Sequence, residues 1–372
     1  MHILMTVNAA WNIWNFRIPV VQVLLAQGHN VTILAPYDDS VDHLESLGCR
    51  CIPLEMNAKG VNPIEGLQLV RQFRRIWAAE KPDIVLSYTI KNNLFGAMAA
   101  RSFGVPFLPN VSGLGTAFLS GGALEMIAVH LYRRAFRELE TVFFQNEDDR
   151  KLFVDRDLVR LTQTRVLPGS GIDLARFHAV DYSSADEPPV FLMIARLLRD
   201  KGVVEFVDAA RQVKAGPHDA RFQLLGATGS ENRTAISAET VQEWGEEGIV
   251  EYLGTERDVR PAIAAASCVV LPSYREGAPR TLIEAAAMAR PVIATDVPGC
   301  RSVVDHKETG FLCKVQDADS LAVAIKRFLE MPHEARAAMG KAGRKKMERE
   351  YDEKFVVEAY LEEIERLTGC KP

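Results

Sequence analysis

The segment "CVVLPSYREGAPRTLIEAAAMARPVIATDVPG", residues 268–299, sets the pattern for the chain. A short apolar run (268–271) stops at a proline, and a polar loop with Gly277 follows. An Ala-rich stretch then opens after Pro279, and a second apolar run starts at Pro291. Apolar runs too short for helices, separated by helix formers, read as parallel strands covered on both faces. Two carboxylates, Glu276 and Glu284, flank the turn. A Gly-containing strand-to-helix turn leaves N–H groups that attract anions, and acids touching a phosphate would repel it. The pair therefore suits neutral hydroxyls, as on a sugar ring or a ribose. Equally, Glu284 favours the helix dipole and Glu276 closes the loop.

The same alternation runs outward to both ends, through apolar runs at 2–7, 30–36, 83–88, 141–146, 190–195, 221–227 and 249–254. Residues 82–113, "PDIVLSYTIKNNLFGAMAARSFGVPFLPNVSG", echo the opening segment. Asp83 and Cys268 stand 185 residues apart, and each precedes a strand-initiating proline by 23 residues. The expected fold is α/β, a pair of Rossmann-like, doubly wound parallel-sheet domains facing a central cleft. The expected division is 1–178, a linker at 179–189 in the Ser/Asp/Pro-rich "AVDYSSADEPP", 190–350, and an amphipathic helix in 351–372 packing back on the first domain.

The 372 residues suit two domains, and 48% hydrophobic content excludes bulk disorder. A net charge of -5 gives no electrostatic footprint for nucleic acid. The six cysteines lack metal-ligand spacing, and a reduced, cytoplasmic chain without metal or organic cofactor is expected. The first residues lack the basic and apolar regions of a secretion leader, and no apolar run reaches the ~20 residues of a membrane span.

At 190–206, "VFLMIARLLRDKGVVEF" places Arg196 and Lys201 just beyond a strand. Two cations there can neutralise a diphosphate leaving group, although an isolated pair is also an ordinary solvated loop.

"IARLLRDKG" together with "LPSYREGAPRTLIEAAAMARPVIATDVPG" resembles the donor-binding half of glycosyltransferase family 4, retaining and metal-independent enzymes of the GT-B fold. Glu276 and Glu284 match the family's E-x7-E motif. The resemblance implies that Glu276 meets the donor sugar, Glu284 the ribose hydroxyls, and Arg196 and Lys201 the diphosphate. The backbone at Gly277, Ala278, Pro279, Arg280 and Thr281 would lie along the diphosphate and sugar, with Gly171, Gly226 and Leu253 completing the donor set. "YTIKNNLFGAMAARSFGVP", "NVSGLGTAF", "FFQNEDDRKLF" and "LPGSGIDLARF" are similar to bacterial enzymes that extend a sugar on undecaprenyl diphosphate, N-acetylgalactosaminyltransferases and capsule and O-antigen enzymes among them. That likeness implies a UDP-sugar donor, a polyprenyl-diphosphate-linked acceptor and the inner face of the cytoplasmic membrane. The chain departs from family 4 twice. Ser112 stands in "NVSG" where many members have His, and "VPGCRSVV" brings Ser302 where a Glu is usual.

The loop after the first strand, "NAAWNIWNFRIPVVQVL", lacks G-x-G-x-x-G, which argues against a dinucleotide oxidoreductase. Its Asn8, Trp11, Asn12, Trp14, Asn15 and Arg17 are placed to receive an acceptor, with Arg17 suited to a diphosphate. Trp11 and Trp14 equally suit packing. Thr89, Lys91, Ser112 and Gly113 complete the acceptor set. Residues 124–137, "LEMIAVHLYRRAFR", pair an apolar stripe (Leu124, Ile127, Ala128, Leu131, Ala135) with Arg133, Arg134 and Arg137. Such a helix either packs on the domain surface or lies on anionic lipid, and His130 within it reads as structural. Three other functions share these features. A glycoside hydrolase would use the two acids but not the cations. A binding protein would hold UDP without transfer, and an epimerase would alter the UDP-sugar without an acceptor.

Overall fold

The computed structural model describes every residue except 58–62, 115–121, 183, 185–186, 230–231, 233 and 371–372, and also leaves aside the side chains of 63–64 and 123–124, among them Leu124 of the basic helix. Thirteen strands are present among the described residues, all in parallel sheets. The chain forms two compact units, residues 1–171 with 353–372, and residues 172–352.

In the first unit the strands are β1 (His2–Thr6), β2 (Asn30–Ala35), β3 (Arg50–Pro53), β4 (Ile84–Tyr88), β5 (Phe107–Val111), β6 (Val142–Phe144) and β7 (Thr164–Val166), in spatial order 3-2-1-4-5-6-7. Nearly every residue of β1, β2, β4, β5 and β6 is buried, as continuous apolar runs require when helices cover both faces. In the second unit they are β8 (Val190–Ile194), β9 (Arg221–Leu225), β10 (Glu251–Tyr252), β11 (Cys268–Leu271), β12 (Val292–Thr295) and β13 (Gly310–Cys313), in order 10-9-8-11-12-13. The echoed segments occupy matching places. Residues 82–113 supply β4, the helix Ile90–Ala100 and β5, while 268–299 supply β11, the helix Arg280–Ala287 and β12. β4 pairs with β1 as β11 pairs with β8, so each echo starts at the point where strand order reverses. Ligands of open parallel sheets bind beyond the carboxyl ends of the strands at that point.

The boundaries differ from the sequence expectation. The second unit starts at 172 rather than after a linker at 179–189. Ile172, Leu174, Phe177 and Val180 pack into its core. Arginines also hold this segment by its carbonyls: Arg344 Nη1 donates to Phe177 O at 2.8 Å, and Arg290 Nη2 to Asp181 O at 2.6 Å. A Ser/Asp/Pro-rich composition marks exposure, and these anchors lie mostly ahead of it. The helix Glu353–Thr368 belongs to the first unit, where Val356, Ala359, Tyr360 and Ile364 share a core with Ile3, Leu24 and Tyr88.

Candidate active site

Two sets of loops stand at the reversal points, one in each unit. In the second unit, Lys201 closes the turn Arg199–Lys201 that follows β8, and Glu276 lies in the loop that follows β11. Cross-bonds hold the two loops together. Ser273 Oγ donates to Asp200 O at 3.2 Å, Tyr274 N donates to the same oxygen at 2.9 Å, and Tyr274 Oη donates to Glu205 Oε1 at 2.7 Å. This frame puts Lys201 Nζ 2.5 Å from Glu276 Oε1. Gly299 braces the loop from beneath. With φ at 80°, a Cβ there would come within 2.6 Å of Glu276 O and 2.7 Å of Gly277 O. A side chain would lose both the left-handed backbone and the close approach.

The helix Arg280–Ala287 starts at Pro279, whose missing N–H is harmless there. Along 277–281 the backbone therefore offers donors at Gly277, Ala278, Arg280 and Thr281 but not at Pro279. The Thr281 hydroxyl donates to Ile194 O at 3.1 Å, fastening the helix start to the end of β8. Glu284 is only 8% exposed, with Oε1 2.6 Å from Arg280 Nε. Burial raises its carboxyl above the ordinary range, with Arg280 pulling the other way. The sequence reading left both glutamates to hydroxyls. The structure gives each a cation: Lys201 for Glu276 and Arg280 for Glu284. The second pair was legible as an i,i+4 spacing on a helix. Arg196 is exposed and has no ion pair among the described residues.

Gly226 and Leu253 lie beyond the ends of β9 and β10, on the same side of the sheet. Gly226 has φ at 149°, and a Cβ would sit 1.8 Å from Ala195 O, so only glycine lets β9 end this close to the Arg196 turn. Gly171 is the last residue of the first segment of the first unit, where φ is 72° and a Cβ would come within 2.4 Å of Glu353 Cα. Ser302 lies in the short helix Cys300–Val303, where its carbonyl accepts from Tyr351 Oη at 2.9 Å.

In the first unit a cavity of about 280 Å³ lies beyond β1, β4 and β5, lined by Asn8, Met56, Thr89, Ile90, Lys91, Ser112 and Gly113. It gathers five of the predicted acceptor residues, Asn8, Thr89, Lys91, Ser112 and Gly113. Lys91 Nζ donates to Asn57 O at 2.6 Å and faces Glu65 at 3.7 Å. Met56 carried no polar signal and was missed. The other expected residues, Trp11, Asn12, Trp14, Asn15 and Arg17, are not in its lining. Asn15 donates back to Trp11 O at 2.9 Å within its own helix, Ala10–Phe16. Arg17 follows that helix and turns inward: it is 3% exposed, with its guanidinium 4.6 Å over the Tyr88 ring. Its Nε and Nη1 have no hydrogen-bond partner among the described residues. Trp11 is exposed and meets Phe16 edge-on, whereas Trp14 stacks on His43 at 4.9 Å.

The basic helix, Gly122–Phe136, buries Ala135 and half-buries Ala128 and Leu131. Ile127 was expected on that buried stripe, yet it is 53% exposed beside Met126 at 68%. His130, Arg133, Arg134 and Arg137 continue the exposed face, so His130 is not a core histidine. The helix Pro63–Glu80 shows the same order, with Leu67 exposed near its start and Arg71, Arg74 and Arg75 exposed further on. Among the described residues no helix can cross a membrane, no cluster of His, Cys, Asp and Glu could hold a metal, and all cysteines are free.

Residues 176–346 match the model for glycosyl transferases group 1, and residues 20–169 match a glycosyl transferase 4-like domain. The chain is 27% identical to the Campylobacter jejuni N,N'-diacetylbacillosaminyl-diphospho-undecaprenol alpha-1,3-N-acetylgalactosaminyltransferase, over 97% of both chains. It is 25% identical to an Escherichia coli UDP-Gal:alpha-D-GlcNAc-diphosphoundecaprenol alpha-1,3-galactosyltransferase, over 72% of both. Among solved structures, Anabaena HepE in complex with UDP-glucose superposes with a TM-score of 0.79 at 18% identity, covering 99% of this chain and 100% of that one.

Proposed function

We propose that this chain, a glycosyltransferase of GT-B fold with a group 1 domain following a 4-like domain, moves a hexose or N-acetylhexosamine from a UDP-sugar to an undecaprenyl-diphosphate-linked sugar. One observation supports this most directly. At the reversal point of the second sheet, a free Arg196, the Lys201–Glu276 pair and a helix start stand together, while Glu284 is withdrawn against Arg280. Cations and amides there suit a diphosphate, and paired acids suit hydroxyls without repelling it. The names of the two curated relatives supply the polyprenyl-linked acceptor, and the second also supplies UDP.

In this mechanism the bond from the sugar's anomeric carbon to the diphosphate breaks, and UDP leaves with the electron pair. Arg196, Lys201 and the loop amides stabilise its charge without a metal. The acceptor hydroxyl attacks on the same face, its proton passes to the departing diphosphate, and configuration is retained. Glu276 orients the sugar hydroxyls and Glu284 the ribose. In the first unit, Thr89, Lys91, Ser112 and Gly113 receive the acceptor's sugar and diphosphate, and Ser112 supplies a hydroxyl where a histidine was expected. The chain works from the cytoplasmic face of the membrane. Its exposed Leu67, Met126 and Ile127, followed by arginines on the same helices, enter the interface of anionic lipid.

Purified protein is incubated with UDP-N-acetylgalactosamine or UDP-galactose and undecaprenyl-diphosphate-linked N,N'-diacetylbacillosamine or N-acetylglucosamine, with and without EDTA. UDP release, product mass and anomeric configuration are recorded. Acceptor-dependent UDP release with an α product, unaffected by EDTA, is expected. UDP release without acceptor would identify a hydrolase, an altered UDP-sugar an epimerase, and binding without turnover a non-catalytic protein.

A further inference from the structure

Thr89 borders the first-unit cavity with φ at 69° and ψ at 153°. That combination is nearly confined to glycine, and for a β-branched residue it costs on the order of 1–3 kcal/mol. Strain of this kind persists only where the surroundings hold it. Here the holder is Asn92, three residues on and fully buried. Its Oδ1 accepts from Thr89 Oγ1 at 3.0 Å, and its Nδ2 donates to Thr6 Oγ1 at 2.7 Å. Thr6 ends β1 and is also fully buried, so the relay ties the ends of β1 and β4 together. Asn93 N donates to Thr89 O at 2.9 Å and starts the helix Ile90–Ala100 from the strained residue. Ile90 and Lys91, the first residues of that helix, line the same cavity.

We propose that Asn92 is a positioning residue for the acceptor: by locking Thr89 in its strained backbone it presets Thr89, Ile90 and Lys91 in the cavity wall. This rests on the assignment of that cavity to the acceptor. Asn92 itself faces Thr6 and Thr89, not the cavity, and its effect passes through them. Without it Thr89 relaxes, and the first turn of the helix leaves the geometry that the acceptor meets. A glycine at 89 adopts the same backbone without penalty and no longer needs holding.

The test compares Asn92→Ala, Thr89→Gly and the double variant with wild type. In the Asn92→Ala background, where no buried acceptor is orphaned, adding Thr89→Gly is expected to raise the melting point, which needs no acceptor substrate. With undecaprenyl-diphosphate-linked N,N'-diacetylbacillosamine or N-acetylglucosamine as probe, Asn92→Ala is expected to raise the acceptor KM about tenfold. kcat should change less, and Thr89→Gly in the same chain should bring KM back to the value of Thr89→Gly alone. A purely space-filling Asn92 would lower stability without this rescue, and an unchanged acceptor KM or a failed rescue overturns the proposal. If Asn92→Ala does not fold, Asn92→Asp takes its place. It keeps the oxygen that accepts from Thr89 and loses the donor to Thr6, so a smaller KM rise with the same rescue is expected. Wild type that turns over neither probe would refute the acceptor assignment alone. A double variant that melts lower than Asn92→Ala would refute the strain itself.

Discussion

Gly299→Ala separates the shape of the donor loop from its stability. The new methyl would lie 2.6 Å from Glu276 O, and reaching the 3.4 Å of ordinary contact displaces the Glu276 loop by about 0.8 Å. Both clashing atoms are backbone, so no side-chain rotation relieves them. The left-handed φ of 80° adds about 1–2 kcal/mol of strain. For a unit of this size that corresponds to a melting decrease of roughly 2–8 °C. Misplacing a reacting group by close to 1 Å costs about a hundredfold in rate. Gly248→Ala is the control: φ is 69°, and nothing lies within 4 Å of its Cβ, so it carries the backbone strain alone. Scanning calorimetry should show a melting loss in both variants, larger in Gly299→Ala, where the backbone clash adds to the strain. Transfer to the polyprenyl-linked probe should fall about a hundredfold only in Gly299→Ala. Equal activity in the two variants would show that the loop tolerates the shift and that Gly299 does not set the position of Glu276.

Four further outcomes follow from the same geometry. Glu276→Gln removes the carboxylate from Lys201 and should lower kcat/KM about a hundredfold or more, with UDP affinity, measured by calorimetry, held or improved. Glu284 has a folded pKa raised above its ordinary 4.5, so its contribution to stability is full below that pH and is lost as pH rises through the folded value. The melting difference of Glu284→Gln over wild type should therefore move in favour of the variant from pH 4 to pH 7, and a flat difference would contradict the burial effect. Arg17→Met removes two unpartnered buried donors, each costing about 1–3 kcal/mol, and gives up a cation–π contact of about 1–2 kcal/mol. The first unit should melt a few degrees higher, and a lower melting point would show that the charge is compensated. Met126→Glu with Ile127→Glu should abolish sedimentation with vesicles rich in anionic lipid while leaving turnover of a short-prenyl, water-soluble acceptor intact.

Local patterning carried the architecture because parallel sheets demand continuous apolar strands, and residues 268–299 show strand, loop and helix in one line. The E-x7-E pair was visible for the same reason, its spacing being fixed by one turn and one helix. What the linear pattern hid depends on three-dimensional contact. Lys201 and Glu276 stand 75 residues apart and meet only because Ser273 and Tyr274 tether their loops. Arg17 read as a surface cation because nothing nearby in sequence marks the inward turn onto Tyr88. Asn92 carried no signal of its own, since backbone strain at Thr89 leaves no trace in composition. Residues 172–178 were expected in the first domain and 179–182 in the linker because their anchors, Arg290 and Arg344, come more than 100 residues later.

The pairing of Glu276 with Lys201 and of Glu284 with Arg280 also bears on how the donor arrives. A loop that carries its own counter-ions projects little field into solvent, and the chain as a whole is negative at -5. Of the site's cations, Arg196 alone stands without an ion pair among the described residues. Long-range steering of a dianionic nucleotide is therefore weak, and its association rate should hardly change with ionic strength. In the proposed mechanism attraction develops only at contact, when the diphosphate draws Lys201 away from Glu276. The same exchange turns the acid toward the sugar at the moment the phosphate is captured, so recognition of one end of the donor readies the other.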